Sequence, residues 1–316
     1  MQRIVVLDRK LAPASEDGQA LMGVDAETEA ILIDPGLSDG QKIERISARY
    51  LAAIDRAVDS FDCHTVVISA ENLARLERDR TLIIAAFARL MPRLDLRILF
   101  YVRRPDYWLE SAWKQWAMKV THLSPVDWAM SVADWGMPDF LGTARDWKAM
   151  AGPNHFIIRL LDPKALWGSA VLQDFAALIG ATDLDFDIAN ENPMLHPALL
   201  RFFQRHREVL FSNVHDSRLF DWAERLRLFA PSGRRLLSEP VRQRLLAALA
   251  DRNRALLTEF FPDSAPAFLP SWCPVATDEP LRELDPPSPR KPPRVIAGLE
   301  RAAARALALA LKFKRR

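Results

Sequence analysis

Residues 96–119, L-R-I-L-F-Y-V-R-R-P-D-Y-W-L-E-S-A-W-K-Q-W-A-M-K, leave the chain little freedom in how it folds. Residues 96–102 are β-branched, aromatic and aliphatic with a single charge, the length and composition of a strand buried on both faces of a parallel sheet. Pro105 suits the first turn of a helix, where its missing N–H has no partner to lose, and Asp106 sets a carboxylate against that helix's positive end. Arg103 and Arg104 therefore fall at the carboxyl edge of the strand, and Ser111 lies two turns into the helix. Guanidinium, hydroxyl and helix-start N–H groups at such a junction can converge on one phosphate, so the segment reads as an anion site. Either arginine of the adjacent pair can be the one that points inward.

The rest of the chain supplies partners for this strand. Ile4–Leu7 reads as a short strand, and residues 30–33 as another, stopped by Asp34-Pro35-Gly36. Ser38 with Gln41 three positions on has the form of a capping box, followed by an apolar stripe of Ile43, Ile46, Tyr50, Leu51, Ile54 and Val58. Thr65–Ile68 is a strand, T-V-V-I, residues 82–90 continue a helix, and the strand before Arg103 follows. Short connections between them predict a right-handed parallel crossover. Beyond Ser111 the pattern is mostly helical, with Phe156–Leu160 as a further strand and residues 172–178 as a helix stopping at Gly180. Trp108, Trp113, Trp116, Trp128, Trp135 and Trp147, at helical spacing, read as packing residues. The expected fold class is α/β, a central parallel sheet flanked by helices with a largely helical C-terminal half.

Charge is unevenly placed along the 316 residues. From Arg290 onward there are nine Lys or Arg and one Glu, so the remainder holds 34 basic and 40 acidic residues, a net of −6. An acidic body excludes a general nucleic-acid binder, whose footprint is broad and basic. Prolines at 280, 286, 287, 289, 292 and 293 mark an extended linker, giving a body of residues 1–275, a linker of 276–293 and a terminal segment of 294–316. That segment reads as a basic amphipathic helix: Arg294, Arg301, Arg305 and Lys312 form a narrow stripe beside a wide Ala, Leu, Val and Ile face. It suits an anionic membrane interface, a partner's groove or the chain's own acidic body. Cys63 and Cys273 lack the neighbours of a zinc or redox motif, and no metal is expected. The N-terminal apolar run is too short for a signal peptide, and no stretch offers about 20 uninterrupted apolar residues. The expected location is cytoplasmic, at the inner membrane face where the tail binds lipid.

Y-V-R-R-P-D-x-x-x-x-S resembles the 3′-phosphate-binding segment of bacterial sulfotransferases that use 3′-phosphoadenosine-5′-phosphosulfate. Further resemblances occur in the same order: T-V-V-I-S-A-E-N-L, D-F-L-G-T-A-R-D-W-K-A-M-A-G-P-N-H-F-I-I-R-L, Q-D-F-A-A-L-I-G-A, N-E-N-P-M-L-H-P-A-L-L, and residues 245–260 with Asn253. The resemblance implies a P-loop nucleotide-kinase-like sulfotransferase fold and sulfuryl transfer to a hydroxyl acceptor, a saccharide among the candidates. It assigns the nucleotide's 3′-phosphate to Arg103 and Ser111, with Arg104 as the alternative ligand. Glu71, after the T-V-V-I strand at the sheet's carboxyl edge, is the implied base for the acceptor's proton.

One part of the family pattern is missing. Such proteins carry a Lys/Ser/Gly/Thr-rich loop after the first strand, whose N–H groups cradle the 5′-phosphosulfate. Here D-R-K-L-A-P-A-S-E-D-G-Q follows Ile4–Leu7, with Pro13 and the acidic Glu16 and Asp17 in that place. Either the chain begins downstream of the true loop, or the loop and the chemistry are lost. The second case describes a non-catalytic scaffold that binds a glycan, a membrane surface or a protein. A glycosyltransferase-like reading is disfavoured, because Asp183-Leu184-Asp185 is the nearest Asp-x-Asp match and reads as loop.

Overall fold

The computed structural model describes residues 4–7, 26–69, 77–181, 195–213, 216–228, 235–275, 303–305 and 307. The chain divides into two compact units, Met1–Val102 with Asp139–Phe186, and Arg103–Pro138 with Asp187–Arg316. In chain order the first unit opens with β1 (Ile4–Leu7), α1 (Ala26–Ile33), α2 (Asp39–Phe61), β2 (Thr65–Ile68), α3 (Glu77–Ala88) and β3 (Ile98–Val102). The second unit then starts with α4 (Pro105–Ala112), a π-helical turn Trp113–Ala117, α5 (Met118–Val120) and α6 (Pro125–Asp134). The chain returns to the first unit for α7 (Phe140–Ala151), β4 (Phe156–Leu160) and α8 (Val171–Leu178). It closes in the second with α9 (Pro197–Arg205), α10 (Arg207–Leu210), α11 (Arg218–Arg225), α12 (Glu239–Ala248), α13 (Ala250–Phe260) and α14 (Ala265–Trp272).

The architecture is α/β, mostly helical, with parallel strands. β1 pairs with β2 from Ile4 opposite Thr65 to Leu7 opposite Ile68, and β3 with β4 from Ile98 opposite Phe156 to Val102 opposite Leu160. Among the described residues these are two two-stranded sheets, where the sequence reading expects one central sheet. β3 is accordingly half-buried along most of its length, and only Val102, at 0% exposure, has the burial expected of a strand covered on both faces.

Residues 30–33 are a correction: they end α1 and do not form a strand. A four-residue apolar run fits either element, and local signals decide here. Glu27 and Glu29 complement the positive end of α1, Thr28 and Leu32 bury one face at i, i+4 spacing, and Lys42 Nζ donates to the Leu32 carbonyl at 2.6 Å.

α2 begins as the sequence demands. Ser38 Oγ accepts from the Gln41 N–H at 3.3 Å, while Gln41 Oε1 accepts from the Ser38 N–H at 2.9 Å. Its buried face is Ile46, Tyr50, Ala53, Ile54 and Ala57, with Val58 rotated out toward solvent. Tyr50 meets Phe87 of α3 at 4.8 Å between ring centroids, and Phe87 meets Trp147 of α7 edge-on at 5.7 Å. Arg80 of α3 is buried beside them and held by Asp146 at 2.7 Å and Thr143 Oγ1 at 3.0 Å, both on α7.

The second unit has two apolar clusters. One gathers Leu109, Val126, Ala129, Val241 and Leu245 from α4, α6 and α12. The other gathers Trp113, Met118, Leu200, Phe203 and Leu219, and Ala304 of the terminal segment is buried in it at 0% exposure with Leu307 packed alongside. Residues 303–305 and 307 are helical, and the Pro-rich span 276–293 lies outside the described residues. Among the described residues no helix is long and apolar enough to cross a membrane.

Ser38→Ala removes one of the reciprocal capping bonds of α2 and is expected to lower stability by about 1 kcal/mol, read as a shift in urea midpoint.

Candidate functional site

α4 opens without a side-chain cap: Arg104 is its N-cap residue and Pro105 its first helical residue. The positive end is served instead by Asp106, 0% exposed, whose carboxylate receives three bonds. Arg104 Nε donates to Oδ1 at 2.7 Å, Arg104 Nη2 to Oδ2 at 3.0 Å, and Arg242 Nη1 of α12 to Oδ2 at 2.7 Å. One turn on, Glu110 is 3% exposed and its Oε2 accepts from Arg242 Nη2 and from the Leu237 N–H. Glu110 Oε1 is buried, accepts no hydrogen bond and faces Lys114 Nζ at 3.9 Å. Tyr107 lies among three guanidinium groups, with Arg104, Arg242 and Arg235 at 4.4, 4.9 and 5.1 Å from its ring centroid.

This arrangement resolves the adjacent pair of arginines. Arg104 is turned onto Asp106 and stacked on Tyr107, a bidentate fork with a buried carboxylate. Arg103 is half-buried, precedes the helix, and its charge reaches Lys114. Tyr107, Ser111 and Lys114 follow at helical spacing on one face of α4 and its continuation. Ser111 is half-buried there, and Lys114 sits within the π-helical turn, a local widening often found at functional sites.

Lys114 reports the field. Burial pushes its ammonium below the usual lysine range; Glu110 opposes that, while the positive charges of Arg235, Arg103 and Arg242 add to it. Five cations, Arg103, Arg104, Lys114, Arg235 and Arg242, thus stand against Asp106, Glu110 and the exposed Glu239, whose charge reaches Arg104. Among these described groups the surplus is positive, and an anion placed against this face would relieve it.

Glu71 and Asp183-Leu184-Asp185 lie outside the described residues. Of two histidines that could also serve as bases, His64 is exposed and His122 faces Arg207. Lys114, Arg235 and Arg242 escape the sequence reading. The register of Lys114, eleven positions after Arg103, was a usable signal; Arg235 and Arg242 stand more than 120 residues downstream with no local pattern to mark them. Among the described residues no group of three or more His, Cys, Asp or Glu could hold a metal ion. Comparison with protein-family models, curated proteins and solved structures finds no match to this chain.

Two outcomes follow from this cluster. Arg242→Met takes one guanidinium bond from Asp106, which keeps Arg104, and the guanidinium from buried Glu110, and is expected to cost about 3–5 kcal/mol in chemical denaturation. Lys114→Met should instead stabilise the protein at neutral pH. Because the folded-state pKa of Lys114 is depressed, the unfolded chain binds more protons at this group, so through the lysine range the wild-type protein gains stability with pH relative to the variant. Denaturation midpoints between neutral and alkaline pH check both signs.

Proposed function

We propose that this is a sulfotransferase-family protein that binds 3′-phosphoadenosine-5′-phosphosulfate and transfers its sulfuryl group to a hydroxyl, with a saccharide as the acceptor class. The observation that carries the reading is the cationic face of α4, where Arg103 and Lys114 share one field with Arg235 while Arg104 is taken up by Asp106. Arg103 and Ser111 hold the nucleotide's 3′-phosphate in this proposal, and Lys114 and Arg235 add positive charge around it. A P-loop nucleotide-kinase-like fold belongs to the same proposal and is supported by the parallel pairing of β1 with β2 and β3 with β4.

The chemistry is an in-line transfer. The acceptor oxygen forms a bond to sulfur as the bond from sulfur to the nucleotide's phosphate oxygen breaks, and the acceptor's proton passes to Glu71. The leaving group is 3′-phosphoadenosine-5′-phosphate.

A second reading keeps the nucleotide pocket and drops the transfer. It is favoured by D-R-K-L-A-P-A-S-E-D-G-Q after β1, where acidic residues stand in place of a phosphosulfate cradle. The terminal segment would then serve a membrane surface or a protein partner through its basic and apolar faces.

Calorimetry with 3′-phosphoadenosine-5′-phosphate separates these readings from a chain that binds no nucleotide. Binding is expected, and Arg103→Ala should weaken it by about 10–100-fold, the worth of a charge-assisted hydrogen bond. Absence of binding overturns both readings. Transfer of radiolabelled sulfate from the donor to a saccharide panel, lost in Glu71→Gln, supports the enzyme; nucleotide binding without transfer supports the scaffold.

A further inference from the structure

Four of the five cations on the α4 face, Arg103, Arg104, Arg235 and Arg242, are arginines, which keep their charge throughout the accessible pH range. Lys114 is the one of the five that can give up its proton, so the charge of the face is adjusted there. Its surroundings make that proton costly. The π-helical turn Trp113–Ala117 holds the side chain at 23% exposure beside Glu110. That carboxylate is largely committed elsewhere: Oε2 accepts from Arg242 Nη2 and from the Leu237 N–H, and Oε1 stands 3.9 Å from Lys114 Nζ, beyond hydrogen-bonding reach.

The elements around the turn leave this imbalance in place. α4 brings Glu110, the residue before its cap brings Arg103, and α12 with the segment leading into it brings Arg242 and Arg235. α6, packed on the turn, spends Asp127 on its own cap with Ser124 Oγ at 2.8 Å and leaves Asp134 exposed at its far end. On α5, Lys119 is turned to the rings of Phe211 and Phe220, 5.7 and 5.1 Å away. Burial, opposed by Glu110 and reinforced by the three guanidinium groups, pushes Lys114 below the usual lysine range.

We propose that this face takes up an oxyanion together with a proton, and that the proton goes to Lys114. Solvent supplies it. Without the anion, the ammonium shares its space with like charges; an anion set against Arg103, Ser111 and Lys114 brings the opposite charge and favours the protonated form. Binding and protonation then strengthen each other by one common factor, because both orders of events close the same free-energy cycle. The sign follows: the anion is held while Lys114 is charged and is released as pH rises through the Lys114 pKa. This inference rests on the reading of Arg103 and Ser111 as an anion site, and it holds whichever oxyanion occupies them.

The probe is sulfate, a dianion from neutral to alkaline pH, so that only the protein titrates. Carbon NMR of the full chain with isotopically labelled lysine follows the Cε signal of Lys114, assigned by its loss in Lys114→Arg, at an ionic strength held constant with sodium chloride. Sulfate is expected to raise the titration midpoint of Lys114 by about one pH unit, and the sulfate affinity of the wild-type protein to fall about tenfold across that midpoint. Lys114→Arg, which keeps its charge, should lose less affinity over the same range, and Lys114→Met should bind sulfate about tenfold more weakly at neutral pH. The proposal is overturned if sulfate up to ~100 mM leaves the midpoint in place, or if Lys114→Arg loses affinity as steeply as the wild type. Two outcomes separate it from the nucleotide reading. If 3′-phosphoadenosine-5′-phosphate binds through Arg103 and the Lys114 midpoint stays where it was, the nucleotide reading stands and this inference falls. If sulfate moves the midpoint and the nucleotide does not bind, this inference stands and the nucleotide reading falls.

Discussion

The second unit depends on what Arg242 does with two carboxylates. Asp106 and Glu110 lie one turn apart on α4, and both are removed from water. Neither charge could be buried alone, and a single guanidinium reaching in from α12 serves both. Its planar fork is the reason this works: one nitrogen meets each carboxylate while the face of the group rests near Tyr107. α4 is thereby fixed against α12 in register as well as in distance, and Arg103, Ser111 and Lys114, carried by the same segment, inherit that fixed position. Rigid support for a cationic face is what an anion site requires, because each unsatisfied degree of freedom would have to be frozen when the ligand binds.

Local chemistry was readable in the sequence, and long-range pairing was not. Ser38 with Gln41, Pro105 at the start of α4, the T-V-V-I strand and the F-I-I-R-L strand each follow from neighbours within a few residues, and each is where the sequence puts it. Residues 30–33 read as a strand because four apolar residues carry no period of their own, whereas the acidic first turn of Glu27 and Glu29 marks them as the end of a helix. Trp135, expected to pack, is 78% exposed, and for a different reason. Helical spacing says which residues share a face, but α6 ends one residue before Trp135, so the spacing no longer applied.

The candidate site shows the same division. Arg103, Arg104 and Ser111 announce themselves through one strand-to-helix junction. That Arg104 turns onto Asp106, and that Arg235 and Arg242 arrive from far downstream, depends on which helix lies beside α4, and one sequence does not contain that information in local form. Lys114 stands between the cases. Its register was visible, but the cost of keeping its charge there comes first from burial and then from the surrounding arginines, and both depend on the packing around α4.

The burial of Ala304 among Trp113, Phe203 and Leu219 gives the terminal segment a standing occupation. Being tethered to the unit it covers, that helix meets its own binding surface at an effective concentration no free ligand readily matches. Any membrane or protein that recruits its apolar face must therefore displace an intramolecular competitor first, and in doing so uncovers aromatic surface on the second unit. Recruitment of the tail and the integrity of that cluster are two sides of one equilibrium, in which a gain at either is a loss at the other.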